Sequence, residues 1–323
     1  MKSFQVAIII NSFNRLSLLK QCMNTLSSAI SESGNESMFV AVVYEAGSSD
    51  GSYEWLRKER GRFAFNVDII TPKVGDDTSF SAGVNAAVAY AQERYINLEY
   101  LFFFETDNQI LAFHPISQAI DILISKKKIA ACGFTVCRTN GTLAGVGQPF
   151  PTVINFLLGK NIVHRFNLEA IHYSWQTDDK GTQFSYVDVV YTSPLLVKLQ
   201  AWKDSIGLDA KVFPFADCDV DWARRLRDLD WEMGVIKTSD IIHDNLNNLS
   251  NWSQMRAIHS HRGRLRYFQR HKPISVFFVW PVLLLIRHLF ELSGTILIRD
   301  AIRRNQLAAQ FFILFKKTIT GYR

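Results

Sequence analysis

The segment Glu105-Thr106-Asp107 sets two carboxylates one residue apart, directly after the apolar run Leu101-Phe102-Phe103-Phe104. Such a run fits a central parallel strand, and open α/β sheets bind their ligands just beyond the carboxyl ends of such strands. Paired acids at that edge suit a hard divalent cation, magnesium or manganese, shared with a phosphorylated substrate. The same pair would also serve as a solvated turn. A second acidic cluster, Asp217-Cys218-Asp219-Val220-Asp221, follows Phe215-Ala216. It can supply a general base, or simply open a helix whose dipole favours negative charge.

These groups need a scaffold, and apolar runs alternating with helix-like segments provide a layered α/β domain. Val6 to Ile10, Phe39 to Tyr44, Asp68 to Ile70, Tyr100 to Phe104 and Ile129 to Val136 read as strands. Arg15 to Ser28, Ser81 to Arg94 and Ile116 to Ser125 read as helices, and Gly47 to Ser52 as a turn capping a helix that begins near Tyr53. Beyond residue 138 the pattern weakens. Val187 to Tyr191 then reads as a strand, Pro194 to Asp204 and Asp219 to Asp230 as helices, and Met233 to Ile242 as a strand ending at His243.

The bulk numbers agree with one large core plus an appendage: 323 residues, 48% hydrophobic and 20% charged. A formal net charge of +6 favours anionic partners such as nucleotides, phospholipid headgroups or nucleic acid. We expect no nucleic-acid partner. Cys22, Cys132, Cys137 and Cys218 form no Cys-x-x-Cys pair and suit a reducing compartment, which argues against a disulfide or zinc framework. The apolar stretch near the amino terminus is too short for a signal peptide, so the chain is expected in the cytosol.

The order of the polar segments resembles the family 2 glycosyltransferases, which are inverting enzymes of GT-A fold that use nucleotide sugars. The resemblance spans residues 4 to 245. It rests on Ser12-Phe13-Asn14-Arg15, on Glu45-Ala46-Gly47-Ser48-Ser49-Asp50-Gly51-Ser52, on Phe80 to Asn85, on Glu105-Thr106-Asp107, and on Phe215 to Trp222 with Arg224 and Arg225. It implies a donor pocket made by Ser12, Asn14, Arg15, Glu45, Gly83, Asn85 and Glu105. A carboxylate at position 45 can read a pyrimidine's N–H. Glu105 and Asp107 would hold Mn2+ or Mg2+ against the diphosphate, with His243 as a third ligand or a donor to the diphosphate. Inversion needs one carboxylate to take the acceptor's proton, and the resemblance gives that role to Asp219, with Asp217 as the alternate. The chain departs from the family pattern at Glu45 and Glu105, where Asp is usual, and at Cys218, where many relatives have Glu. Tyr191-Thr192-Ser193-Pro194 replaces the usual Gly-Ala segment.

The carboxyl-terminal region, residues 246 to 323, reads as a helical, basic and amphipathic extension to a GT-A-like domain at 1 to 245. His259 to Phe268 is basic and aromatic, Ile274 to Ile286 is apolar but interrupted by Pro281, and Gln310 to Lys317 sets Phe311, Phe312, Ile313, Leu314 and Phe315 beside two lysines. Apolar surface next to cations suits a helix lying in an anionic membrane interface. Packing within the protein is the alternative.

The expectation is therefore a metal-dependent hexosyltransferase with a mostly parallel sheet flanked by helices. It would move a sugar, rhamnosyl or galactofuranosyl by resemblance, from a UDP- or dTDP-sugar to a lipid-linked glycan in bacterial surface polysaccharide synthesis. Its place would be peripheral, on the inner face of the cell membrane. A sugar-phosphate nucleotidyltransferase is one rival, although Asn11-Ser12-Phe13-Asn14-Arg15 lacks that class's glycine-rich loop. A non-catalytic membrane adaptor derived from a transferase is the other.

Overall fold

The structure is a computed structural model describing residues 2–3, 5–138, 140–144, 147–170, 173–243, 254–272 and 280–321. By its internal contacts the chain divides into two compact units. One comprises Met1–Pro149, Ile171–Pro214 and Asp219–Asn245; the other comprises Phe150–Ala170, Phe215–Cys218 and Leu246–Arg323.

The first unit is built on a nine-stranded sheet in the order Gln176–Thr177, Gln183–Val187, Glu232–Ile236, Ile129–Phe134, Leu195–Lys198, Tyr100–Phe103, Val6–Ser12, Phe39–Glu45, Asn66–Ile70. Only Leu195–Lys198 and Gln183–Val187 run against the other strands, so the sheet is mostly parallel, as expected. Val6 to Ile10 and Phe39 to Val43 are buried, which suits strands covered on both faces. Each such aliphatic side chain contributes roughly 1.5–3 kcal/mol when removed from water. The Phe80–Arg94 helix packs on Val6–Ser12 and Phe39–Glu45, and the His114–Ser125 helix packs on Ile129–Phe134. A second, four-stranded sheet joins Leu143–Ala144, Val136–Cys137, Ile241–His243 and Asn108–Ile110.

Three expectations are corrected. The segment from Pro194 to Asp204 is not all helix: Leu195–Lys198 is a strand, antiparallel to both Tyr100–Phe103 and Ile129–Phe134, and only Leu199–Asp204 is helical. Its apolar run is too short to reveal its period, and the sheet interior decides in favour of a buried strand. The strand expected over Met233 to Ile242 is two strands, Glu232–Ile236 in the large sheet and Ile241–His243 in the small one. That over Val187 to Tyr191 is likewise divided, between Gln183–Val187 and Val189–Val190.

The second unit is helical, with Val153–Leu158, Lys160–Arg165, Gln254–His271, Trp280–Gly294 and Ala301–Thr320. Its interior is aromatic: the Phe156 ring lies 5.4 Å from Trp280 and 5.8 Å from Phe268. Arg287 donates to the Phe156 carbonyl and pairs with Glu291, whose other oxygen lies 3.0 Å from His288 Nδ1. The basic-aromatic segment His259 to Phe268 is helical and buries Tyr267 and Phe268. The stretch Gln310 to Lys317 turns Phe311 and Leu314 inward and leaves Phe312 exposed. Residues 273–279, the start of the expected apolar stretch, lie outside the described residues.

Candidate active site

The carboxyl ends of Val6–Ser12 and Phe39–Glu45 release two loops that hydrogen bonds stitch together. Asn14 takes a left-handed conformation, φ 51°, which a short polar side chain tolerates. Its Oδ1 accepts the Ser49 N–H at 2.8 Å, and its own N–H donates to Ser48 Oγ at 2.9 Å. Asp50 accepts from Leu16 N–H at 2.8 Å and from the Ser52 hydroxyl at 2.6 Å, so one carboxylate secures the first turns of two helices. Gly47 and Gly51, both at positive φ, make the turn possible. Glu45 is buried and its two oxygens accept the Gly47 and Ser48 N–H groups at 3.0 and 2.9 Å. Its carboxylate thus shapes its own turn. Ser12, beside it in the parallel register, is fully buried, and its hydroxyl has no hydrogen-bond partner among the described residues.

Beyond the strand Tyr100–Phe103, Asp107 lies between two nitrogen bases. Arg15 Nη1 is 3.1 Å from Asp107 Oδ2, and His243 Nδ1 is 3.7 Å from Asp107 Oδ1. Pairing of Asn108–Ile110 with Ile241–His243 sets His243 opposite Asn108, and Asn108 Oδ1 lies 2.8 Å from His243 Nδ1. Asn108 Nδ2 faces the Glu105 carbonyl at 3.2 Å, which fixes the amide's orientation. His243 therefore carries its proton on Nδ1 when neutral, and Nε2 keeps its lone pair. Ser193 Oγ accepts from Glu105 N–H at 2.7 Å and from Asn108 Nδ2 at 2.6 Å. The reversed strand Leu195–Lys198 thereby ties its entry to the acidic segment.

Glu105 keeps some surface in solvent, but its carboxyl is densely surrounded. Burial pushes it up to about 8, the nearby Asp107 adds to the rise, and Arg15 opposes it. Beneath the pair, Cys22 Sγ–H points to the Glu105 carbonyl at 3.6 Å. Burial, with Glu105 and Asp107 nearby, pushes that thiol well above its ordinary value.

A hard divalent cation takes about six ligands. Among the described residues no three His, Cys, Asp or Glu side chains form a group able to hold one. Asp107 and His243 supply a hard oxygen and an imidazole nitrogen, the kind of partial set that leaves the remaining positions to phosphate oxygens and water.

Other candidate positions have structural partners. A Cβ on Gly83 would stand 2.7 Å from the Tyr44 ring and 2.8 Å from Asn11 Nδ2, so glycine there lets helix and strand approach. Asn85 grips the Leu208 backbone with both ends of its amide, donating to the carbonyl at 2.7 Å and accepting the N–H at 3.1 Å. Asp219 lies in the first turn of the helix Cys218–Asp228 and accepts the Val220 N–H at 2.9 Å. Asp221, fully buried, pairs with Arg225 at 2.9 Å, and Arg225 also donates to the Gly207 carbonyl at 2.7 Å. Asp217 belongs to the helical unit, where Arg264 grips both its oxygens at 2.7 and 3.2 Å. Its backbone is left-handed, φ 58°.

Sequence reasoning missed Asn108, Ser193 and Arg264. Asn108 had a legible signal, an amide one residue beyond the second acid. Ser193 and Arg264 act across 88 and 47 positions, and nothing local announces such a contact.

No protein family and no curated protein matches the chain in sequence. Solved structures do resemble it. A mannosyltransferase, PcManGT from Pyrobaculum calidifontis in complex with GDP-Man and Mn2+, aligns with TM-score 0.55 and 13% identity, covering 98% of this chain and 87% of that one. S. aureus TarS, residues 1–349, aligns with TM-score 0.50 and 13% identity, covering 99% of this chain and 91% of that one. The fold is thus GT-A-like, a mixed α/β architecture shared with glycosyltransferases.

Proposed function

We propose that the protein is an inverting glycosyltransferase that moves a hexosyl group from a nucleotide sugar to a hydroxyl of a lipid-linked glycan. The observation that carries this reading is Asp107, held between Arg15 and His243 at the carboxyl end of a central strand in a GT-A-like sheet. That arrangement suits a diphosphate: Arg15 can exchange Asp107 for phosphate oxygens, and Asp107 with His243 would hold Mn2+ or Mg2+ alongside. A bound cation would supply Lewis-acid stabilisation of the departing diphosphate. Ser12, Asn14 and Glu45 would line the donor pocket, where the buried Ser12 hydroxyl could give or accept a hydrogen bond from the nucleoside. A UDP- or dTDP-sugar of rhamnosyl or galactofuranosyl type is the donor we favour.

Asp219 would act as general base. Asp217 is the alternate, although Arg264 engages both its oxygens. The product would belong to bacterial surface polysaccharide. The protein would work in the cytoplasm, on the inner face of the membrane, attached peripherally through residues 246 to 323.

The test is donor chemistry. The purified chain with Mn2+ should bind and slowly hydrolyse one member of a panel of UDP-, dTDP- and GDP-sugars, detected by thermal shift and released nucleotide. If none binds or is hydrolysed, the transferase reading fails.

A further inference from the structure

The Trp280–Gly294 helix has two apolar faces and only one of them is covered. Trp280, Leu284 and His288, spaced four apart, are buried within the helical unit. On the opposite side Val282, Ile286, Leu289 and Phe290, at the i, i+4, i+7, i+8 spacing of a single stripe, are exposed. The turn that follows continues the exposure: Ile296 is 77% and Leu297 86% exposed, and Ile302 in the next helix is 74% exposed. Contiguous exposed apolar surface of this kind marks an interaction site in a soluble fold. Arg299 and Arg303, both exposed, follow that turn, and the neighbouring Asp300 caps the Arg303 N–H at 2.9 Å.

We propose that this face, the stripe of the Trp280–Gly294 helix extended by Ile296, Leu297 and Ile302 and rimmed by Arg299 and Arg303, docks on an anionic lipid bilayer. Charge complementarity selects the occupant, because apolar side chains beside guanidinium groups match acyl chains beneath anionic headgroups. The segment Trp280–Leu297, 18 residues of mean hydropathy 1.3, is apolar enough in composition to cross a membrane. Yet one side of it is committed to protein, with His288 fully buried and its Nδ1 3.0 Å from Glu291. The helix therefore lies in the interface. Part of the expected membrane face, Phe311 and Leu314, is used instead for internal packing.

This surface deepens the membrane contact proposed above, and its test needs no turnover, so failure of docking and failure of transfer are read separately. The full chain should co-sediment with phosphatidylcholine vesicles containing phosphatidylglycerol, more weakly with phosphatidylcholine alone, and more weakly in high salt. The double substitution Ile296→Ser with Leu297→Ser should weaken binding about a hundredfold, roughly tenfold per side chain. Arg299→Glu with Arg303→Glu should remove the preference for anionic vesicles. Phe290→Ser provides an independent variant, and unchanged thermal unfolding establishes that each protein is folded. The proposal is overturned if the wild-type chain binds neither vesicle, or if the folded variants bind as tightly as it does. It is equally overturned if the same substitutions abolish concentration-dependent self-association without lipid, since the face would then be an interface between copies.

Discussion

Arg15 Nη1 lies 3.1 Å from Asp107 Oδ2, a contact between the turn after the first long strand and the acid beyond the central one. In a site meant for diphosphate, the guanidinium neutralises the acid in the free protein and can be handed to the donor. Arg15→Met should lower kcat/KM for transfer about a hundredfold, and Asp107→Asn by about 10²–10³-fold. Initial rates with the identified nucleotide sugar provide the measurement. Wild-type rates in both variants would place the diphosphate elsewhere.

Asp219 and Asp217 stand two residues apart but have different surroundings. Asp219→Asn should reduce turnover by about 10²–10⁴-fold while calorimetric donor affinity stays unchanged. Asp217→Asn should act chiefly on stability, because it weakens the two-oxygen contact with Arg264. A fully active Asp219→Asn enzyme beside a stable but inactive Asp217→Asn enzyme would reverse the assignment.

Glu105 gives the metal-free protein a pH signature. With its folded value near 8 against an ordinary 4.5, the folded chain keeps a proton that the unfolded chain has lost between those values. Stability should therefore fall as pH rises from about 4.5 to 8, by an amount on the order of a few kcal/mol. Glu105→Gln, which cannot ionise, should flatten this decline. Melting temperatures across that window in chelator decide, and parallel curves for the two proteins would show that the carboxyl is better solvated than its surroundings imply.

Arg264 and Gly263 hold the segment that precedes the acidic helix. A Cβ on Gly263 would come within 2.6 Å of the Ala216 carbonyl oxygen, which is backbone and cannot swing aside. Gly263→Ala should cost about 1–3 kcal/mol, and Arg264→Ala, which strands a largely buried carboxylate, about 3–5 kcal/mol. Urea unfolding should report both losses. Insensitivity to both changes would mean that the segment does not depend on this helix.

The layered fold was legible because its central strands are continuous apolar runs, and Val6 to Ile10 and Phe39 to Tyr44 allow no other placement. Leu195 to Lys198 was not, since four residues after a proline fit the start of a helix equally well. At the site, the polar punctuation after each strand marked Asn14, Arg15 and Asp107, which the fold does bring to one edge. What the pattern could not convey is which polar groups serve the protein itself. Glu45 and Asn85 hydrogen-bond the Gly47–Ser48 turn and the Leu208 backbone, contacts visible only in three dimensions. The short helices Val153–Leu158 and Lys160–Arg165, which contribute to the second unit, carried no clear period.

The reversal of Leu195–Lys198 has a consequence for how this architecture can diversify. Neighbouring strands leave the sheet at the edge that carries Asp107. The reversed strand enters there, with Ser193 already bonded to the backbone of Glu105 and the amide of Asn108. An insertion between Tyr191 and Pro194 would displace the hydroxyl that fixes the acidic segment. The entry to the reversed strand must therefore keep its length.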